Sequence, residues 1–409
     1  MALYKAPLAD IDFLLNEFLD KNLISEIESH KDFDQDFIKS ILEEGAKICE
    51  EKIHPLNKMG DREGCLFQNG TVSTPKGFKD LYDFYIKGGW TGLACDPEYG
   101  GQGLPKTVSF MFDEMLSSSN LSFKLCSELT YGAYSAISEH GTEETKKKFL
   151  PNMVSGKWSG TMCLTEAHCG TDLGMLKTKA VPTEEGFYKI SGQKIFITYG
   201  DHDLTENIIH LVLARIVNAP QGTKGISMFI VPKYIVKSDG SLGDRNNIST
   251  ISIEKKMGIK GSPTCTLSLE ESQGYLLGQP NKGLSAMFTM MNLERLVVGI
   301  QGLGLGEIAY QNALSYSKER LQGRSPSGIK FPDKSADPLI CHPDISKSLL
   351  TIKVFNEGCR ALVLLVAQQV DIMLSHPNNQ NRNDAKEFVA LMTPIIKAFL
   401  KIPFVPFVF

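Results

Sequence analysis

The stretch Met162 to Asp172, MCLTEAHCGTD, puts two cysteines, a histidine and two carboxylates within eleven residues. Side chains of these types could hold a metal, present a reactive thiol, or frame a turn whose backbone does the binding. Zinc needs three or four converging ligands, and His168 and Cys169 are neighbours that point to opposite sides of an extended segment. No metal is expected here. A second grouping, His202, Glu206 and His210, would share a helical face, but the run IIHLVLARI is β-branched like a strand, and the H-E-x-x-H order is missing. A strand ending in a turn accounts for the stretch better. Cys163 and Thr165 then share one face, and AHCGTD offers backbone N–H groups and hydroxyls to an anionic or carbonyl-rich ligand, with the thiols as bystanders.

These residues need elements to position them. Residues 1–30 read as an N-terminal helical extension and 31–158 as a helical domain. Ile11, Leu14, Leu15 and Phe18 recur at helical spacing, as do Phe37, Ile38, Ile41 and Leu42. The Gly-rich break GGWTGLACDPEYGGQGLP, residues 88–105, lacks the G-K-[ST] ending of a phosphate loop and is either a structural turn or a substrate loop. Beyond Trp158 the period changes. GFYKISGQKIFITYG, NIIHLVLARI, KGISMFIVPKY and TCTLSLE are strand-like runs bounded by Gly, Asn or Pro, so 159–284 reads as a β domain, with KSDGSLGDRNN a loop inside it. Helical spacing returns over 285–409. Met287, Met290, Met291 and Leu293 open one helix, Ile345 to Ser375 carries a second, and Phe388, Leu391, Met392, Ile395 and Phe399 stripe a third. The final KIPFVPFVF is apolar and is expected to promote association. The class is α+β.

Charge is nearly balanced, 43 Lys and Arg against 47 Asp and Glu, which leaves no basic field to attract nucleic acid. Asp10 and Asp12 interrupt the N-terminus, so no secretory leader is expected. The longest apolar helical stretches, such as Ala361 to Ala367, fall short of the roughly 18 residues a membrane span needs. Nine scattered cysteines without a C-x-x-C pair suit reduced thiols and a cytoplasmic location.

The run LTEAHCGTD resembles the flavin-binding signature of the acyl-CoA dehydrogenases, C-[VL]-T-E-P-x-x-G-[ST]-D. Four more segments agree in family order: KIFITYG resembles the second flavin strand, KMGIKGSPTCTLSL the strands closing the β domain, MMNLERLVVGIQGLG the substrate-facing helix, and YSKERLQGR a segment reaching a neighbouring subunit's cofactor. YKAPLADIDFLLNE and LTEAHCGTDLGMLKTKA are similar to the subgroup that includes 3-methylmercaptopropionyl-CoA dehydrogenase. The resemblance covers essentially the whole chain. It implies an N-terminal helical domain, a central β-barrel-like domain and a C-terminal helical bundle that is incomplete here.

It also implies FAD, with the backbone from Met162 through Leu164 to Gly170 and Thr171 holding the ring and Thr165 on its pyrimidine edge. Ile197 and Thr198 would face the reactive nitrogen, and Phe196 stands where many members have Trp. Thr171, Asn292 and Arg295 would contact an acyl-CoA substrate, and Arg320 with Gln322 would reach the dinucleotide of another protomer in a homo-oligomer. An electron-transfer flavoprotein is the implied electron acceptor. Two departures stand out: Ala167 replaces the usual Pro, and RLQGR lacks the Phe-Gly common after this Arg.

The implied reaction oxidises an acyl-CoA to the trans-2-enoyl-CoA, which needs a base for a weakly acidic α proton. Most members take that base from a Y-E-G-[TS] motif, which this sequence lacks. A minority carry it on the substrate helix in an L-E-R setting, and Glu294 matches. Its rival role is an ion pair with Arg295 or Lys318. Two expectations follow: a flavin-dependent dehydrogenase using Glu294, or a truncated, non-catalytic FAD- and acyl-CoA-binding remnant.

Overall fold

The computed structural model describes residues 4–20 and 26–401. Of the ending KIPFVPFVF, only Lys401 lies among them. In chain order the helices are α1 (Leu8–Phe13), α2 (Gln35–Ile48), α3 (His54–Glu63), α4 (Phe78–Lys87), α5 (Lys106–His140), α6 (Glu143–Val154), α7 (Gly283–Glu319), α8 (Pro343–Ser375) and α9 (Asn379–Lys401). The strands are β1 (Leu66–Gln68), β2 (Thr71–Ser73), β3 (Trp158–Cys163), β4 (Lys179–Pro182), β5 (Tyr188–Thr198), β6 (Asn207–Ile216), β7 (Ile226–Pro232), β8 (Tyr234–Val236), β9 (Leu242–Arg245), β10 (Ile248–Ile253) and β11 (Thr264–Leu277). No helix of the described residues is long and apolar enough to cross a membrane.

The chain divides into two compact units. One comprises Met1–Pro55, Leu104–Leu121 and Arg295–Phe409, and is helical. Its α2 starts where the Asp34 side chain accepts the Phe37 N–H at 2.7 Å, an N-cap, and it buries Leu42, Ala46 and Ile48. The start of α5 is capped from elsewhere in the unit: the buried Asp371 carboxylate of α8 accepts the N–H groups of Lys106 (2.6 Å) and Thr107 (3.1 Å). Burial pushes the Asp371 carboxyl up to about 6, against the pull of those amides. Deeper in the unit, the fully buried Arg360 of α8 meets Glu114 of α5 and Glu307 of α7.

The second unit comprises Leu56–Gly103 and Ser122–Glu294 and is built on a seven-stranded sheet. Strand order is β10-β11-β5-β4-β6-β3, with β7 pairing both β11 and β6. Ile190 and Ile197 of β5, Val212 of β6, Phe229 and Val231 of β7 and Leu267 of β11 form its core. The pairings run full circle through β5, β4, β6, β7 and β11, but β7 meets β11 over only three residue pairs and β4 meets β6 over two. Such short seams do not close a wall, so the barrel-like expectation gives way to a curved sheet that is not a true barrel.

Helical periodicity up to residue 158 also overlooked the hairpin β1–β2. Its two-residue turn is Asn69-Gly70, with φ of 52° and 74°, the conformation that favours Asn-Gly. The Gly-rich break folds on itself: Gly101 N–H bonds Asp96 O, Gln102 N–H bonds Gly92 O and Gly103 N–H bonds Cys95 O. A Cβ on Gly101 would sit 2.1 Å from the Cys95 carbonyl oxygen, so a structural need accounts for that glycine.

Candidate functional site

β3 lies parallel to β6, with Met162 opposite Leu211, and hands the chain to the turn at Leu164. Glu166 and Cys169 exchange backbone bonds at 2.9 and 3.0 Å, which leaves Ala167, His168, Gly170 and Thr171 exposed on the turn. What fixes the turn is the Glu166 carboxylate. It accepts Lys177 N–H at 2.9 Å, Thr178 N–H at 3.0 Å, the Thr178 hydroxyl at 2.6 Å and the Lys194 ammonium at 2.9 Å. Lys194, on β5 and fully buried, also donates to the Leu164 carbonyl at 3.0 Å. Burial alone would raise the Glu166 carboxyl, but Lys194 and the Thr178 and Lys177 donors hold it below the usual carboxylate range.

Oxygen, nitrogen and sulfur atoms of Glu166, His168 and Cys169 lie within 4.8 Å of one another, the geometry of a candidate metal cluster. The carboxylate there already carries the Lys194 cation, and His168 Nε2 lies 3.1 Å from the Met175 carbonyl oxygen. Burial pushes the Cys163 thiol up to about 11 and raises Cys169 as well, so both stay protonated and neither is a ready thiolate. The donor chemistry therefore suits a turn held for its backbone.

Ile195 N–H donates to the Thr165 carbonyl at 2.9 Å, tying the turn to β5. At that point β5 bulges: Lys194 faces Leu267 and Ile197 faces Cys265, so Ile195 and Phe196 together oppose Thr266. Phe196 has φ of 60° and is 59% exposed. A bulky side chain held left-handed costs roughly 1–3 kcal/mol, and such strain gathers at functional sites. The bulge presents an aromatic ring and the half-buried Thr198 beside the turn, a fit for a flat heteroaromatic ligand. Met162, Leu164, Thr165, Gly170, Thr171, Phe196, Ile197 and Thr198 thus belong to two segments that the structure joins. Glu166, Thr178 and Lys194 went unrecognised in the sequence, though a lysine inside the strand-like KIFIT was a visible anomaly.

Asn292 and Glu294 lie on α7 within the same unit, Asn292 exposed and Glu294 half-buried. A Cβ on Gly132 of α5 would come 2.8 Å from Glu294 Oε1 and 2.9 Å from Met290 Cγ, so the carboxylate rests over that glycine. Arg295, Arg320 and Gln322 belong to the helical unit. Arg320 Nη2 donates to Gln322 Oε1 at 3.0 Å, and both side chains are exposed. The loop that carries them closes on Asp337, whose carboxylate accepts Ser325, Lys330 and Phe331 N–H groups at 2.8–3.1 Å.

His202 and His210 do not share a helix: His210 is on β6 and both are buried in a polar network. His202 Nε2 pairs with the Ser159 hydroxyl at 2.9 Å and His210 Nδ1 with the Thr161 hydroxyl at 2.8 Å, while Lys233 bonds Asp201 at 2.7 Å nearby. Burial pulls their proton affinity down, to about 4 for His202 and about 3 for His210, from an ordinary 6.5. Below pH 6.5 the unfolded histidines bind protons while the folded ones stay neutral, so stability present at higher pH is lost as pH falls. The slope is about 1.4 kcal/mol per pH unit per histidine, or about 2 kcal/mol each by pH 5. Urea melts at pH 7.5 and 5.0 should show it, with a shallower pH dependence in His210→Gln. An identical dependence in the variant would contradict the assignment.

Residues 38–157 match the profile "Acyl-CoA dehydrogenase, N-terminal domain" and residues 161–272 the profile "Acyl-CoA dehydrogenase, middle domain". The chain is 40% identical over 396 residues to 3-methylmercaptopropionyl-CoA dehydrogenase of Ruegeria pomeroyi, covering 97% of this chain and 67% of that protein. It is 38% identical over 410 residues to a butyryl-CoA dehydrogenase of Syntrophomonas wolfei subsp. wolfei, with coverage of 97% and 67%. The chain thus spans about two thirds of the length of these relatives. Among solved structures, butyryl-CoA dehydrogenase from Megasphaera elsdenii has the same fold, with TM-score 0.67, 24% identity, and coverage of 89% of this chain and 88% of that one. Sequence relatives and fold agree, and the chain belongs to the acyl-CoA dehydrogenase family of FAD-dependent oxidoreductases.

Proposed function

We propose that this chain serves in the oxidation of an acyl-CoA thioester to the trans-2-enoyl-CoA, with a short thioether acyl group such as 3-methylmercaptopropionyl as substrate. The carrying observation is the Thr165–Ile195 bond, which sets the turn and the bulged strand around one cradle. The similarity over 97% of the chain supports the substrate class. FAD would be held by the backbone of Met162, Leu164, Gly170 and Thr171, by the Thr165 hydroxyl, and by Phe196, Ile197 and Thr198. When bound, it supplies the acceptor for the hydride that leaves the β carbon.

The chain's own groups bind, orient and move the proton. Thr171, Asn292 and Arg295 would orient the thioester. Glu294 would take the α proton as the C–H electron pair becomes the new double bond, leaving a protonated carboxyl and the enoyl thioester. Arg320 and Gln322 would reach the dinucleotide of a second copy in a homo-oligomer, and an electron-transfer flavoprotein would collect the electrons, in the cytoplasm. The working domains would be 31–158, 159–284 and 285–409, after a 1–30 extension.

The protein should take up FAD and turn yellow, and Cys163→Ser and Cys169→Ser should keep that property, whereas Thr198→Val should alter flavin reactivity. Folded protein that takes up no flavin sinks the cradle. Anaerobic mixing of loaded protein with a panel of acyl-CoAs should bleach the flavin band. Glu294→Gln should slow bleaching about a hundred to ten thousand fold. Gly132→Ala should slow it too, because the new Cβ would crowd the carboxylate. Equal bleaching in Glu294→Gln refutes Glu294 as the base, and no bleaching in either protein favours a binding-only remnant.

A further inference from the structure

The strand that carries Phe196 and Thr198 ends on a second left-handed residue, Tyr199, with φ of 51°. Unlike the exposed Phe196, Tyr199 is completely buried. Its N–H donates to the Pro263 carbonyl at 2.7 Å, one residue beyond the Thr198–Thr264 pair, and Gly200 N–H closes a turn on Ile197 O at 3.1 Å. Gly or Asn would make the same backbone bonds with less strain, because this conformation crowds the Cβ of a bulky residue. What tyrosine adds is reach: its hydroxyl donates to the Ser122 carbonyl of α5 at 2.7 Å. Burial raises the proton affinity of the phenol well above its ordinary value, so it stays a donor.

Ser122 lies two residues past Asn120, whose φ of −161° and ψ of 88° interrupt α5, so it opens the half of that helix that belongs to the β-sheet unit. The same half meets two other parts of the candidate site. The Thr130 hydroxyl accepts the Gly160 N–H of β3 at 3.0 Å, and a Cβ on Gly160 would come 2.5 Å from the Ala133 Cβ, so β3 lies directly on the helix. One residue before Ala133, Gly132 is where the Glu294 carboxylate rests. The stretch 122–133, roughly 16 Å of helix, is thus a rail against which β3, β5 and α7 take their places. For β5, the tie to that rail comes through the Tyr199 hydroxyl. We propose that Tyr199 is a positioning residue, whose hydroxyl fixes Thr198 along α5 and so in register with the turn after β3 and with Glu294. The inference rests on the flavin reading and adds to it a residue buried too deeply to touch the flavin itself.

Tyr199→Phe removes that hydroxyl alone. Tyr82→Phe is its control, because the buried Tyr82 hydroxyl also donates to a backbone carbonyl of the same unit, that of Gly156, at 2.9 Å. Each protein is titrated with FAD by fluorescence quenching, and the midpoint potential of the bound flavin is measured by dye equilibration. Tyr199→Phe should weaken FAD binding about three- to tenfold, the effect of one typical hydrogen bond, and shift the potential in the direction that Thr198→Val shifts it. In Tyr199→Phe/Thr198→Val the potential should match that of Thr198→Val alone, since the hydroxyl acts through Thr198. Tyr82→Phe should lower the melting temperature by a similar amount and leave both flavin readouts at the parent value. Folded parent protein that takes up no FAD ends the flavin reading and this inference with it. Where the parent binds FAD, unchanged affinity and potential in Tyr199→Phe, additive shifts in the double variant, or equal losses in Tyr82→Phe each overturn the inference alone.

Discussion

Lys194→Met should unfold the protein at markedly lower denaturant and abolish tight flavin uptake in what remains folded. Lys194 and Glu166 are 0% and 4% exposed and lie 2.9 Å apart, so removing the lysine leaves a buried carboxylate without its lysine cation, met by the Lys177 and Thr178 donors and by His168 Nε2 at 3.5 Å. Breaking a buried pair in this way typically costs about 3–5 kcal/mol. It also frees the Leu164 carbonyl, which loses its Lys194 donor at the mouth of the turn. Glu166→Gln tests the other half: the amide can still accept from Thr178 and face Lys194, so stability should fall less, while the loosened turn should weaken flavin affinity. In the double variant Lys194→Met/Glu166→Gln no buried charge remains, and stability should partly recover while flavin affinity stays low. That split distinguishes a positioning role from a merely structural one. If flavin affinity tracked stability in all three variants, the pair would be a core ion pair and nothing more.

The two segments proposed to hold the flavin were visible in the sequence, but the pair that joins them was not. LTEAHCGTD and KIFITYG were legible as short motifs because each draws on local residue order. Lys194 and Glu166 are 28 positions apart and meet only because β5 returns beside the end of β3. The left-handed Phe196 was invisible for a similar reason. FIT has strand composition, and the bulge arises only from its register against Thr266. Elements with strong periodicity fared better. The helices expected from Met287, Ile345 and Phe388 correspond to α7, α8 and α9, and the strands expected in NIIHLVLARI and KGISMFIVPKY are β6 and β7. The short hairpin β1–β2 was lost in a helical neighbourhood, although Asn69-Gly70 announced its turn. The apolar stripe expected on α9 is offset from the buried face: Phe388 and Met392 are half-buried and Leu391, Ile395 and Phe399 are exposed at 63%, 44% and 45%, whereas Val389, Ile396 and Leu400 are buried.

The same long-range logic makes Arg360→Met the second large effect. Arg360 Nε and Nη2 donate to Glu114 at 2.6–3.0 Å, Nη2 reaches Glu307 at 3.0 Å, and Nη1 lies 3.4 Å from Asp10. Burial alone would lower the guanidinium's proton affinity, but Glu114 and Glu307 raise it above the ordinary value, so it stays charged. Removing it leaves two acids buried with no cation, and loss of about 3–5 kcal/mol is expected. Glu114 behaves differently, because burial raises its proton affinity and Arg360 only partly opposes that. Its folded form binds a proton more readily than its unfolded form, so its contribution to stability falls as pH rises through the folded-state value. Glu114→Gln should therefore lose less than Arg360→Met at pH 7, and Arg360→Met/Glu114→Gln should recover part of the loss. The reach of the cluster can be read by hydrogen exchange. Arg360 ties together α1, α5, α7 and α8, which are far apart in sequence, so its loss should speed exchange around Asp10, Glu114 and Glu307 together. Faster exchange confined to α8, or a denaturation midpoint unchanged from the parent, would mean that apolar packing of the unit holds these helices without the cluster.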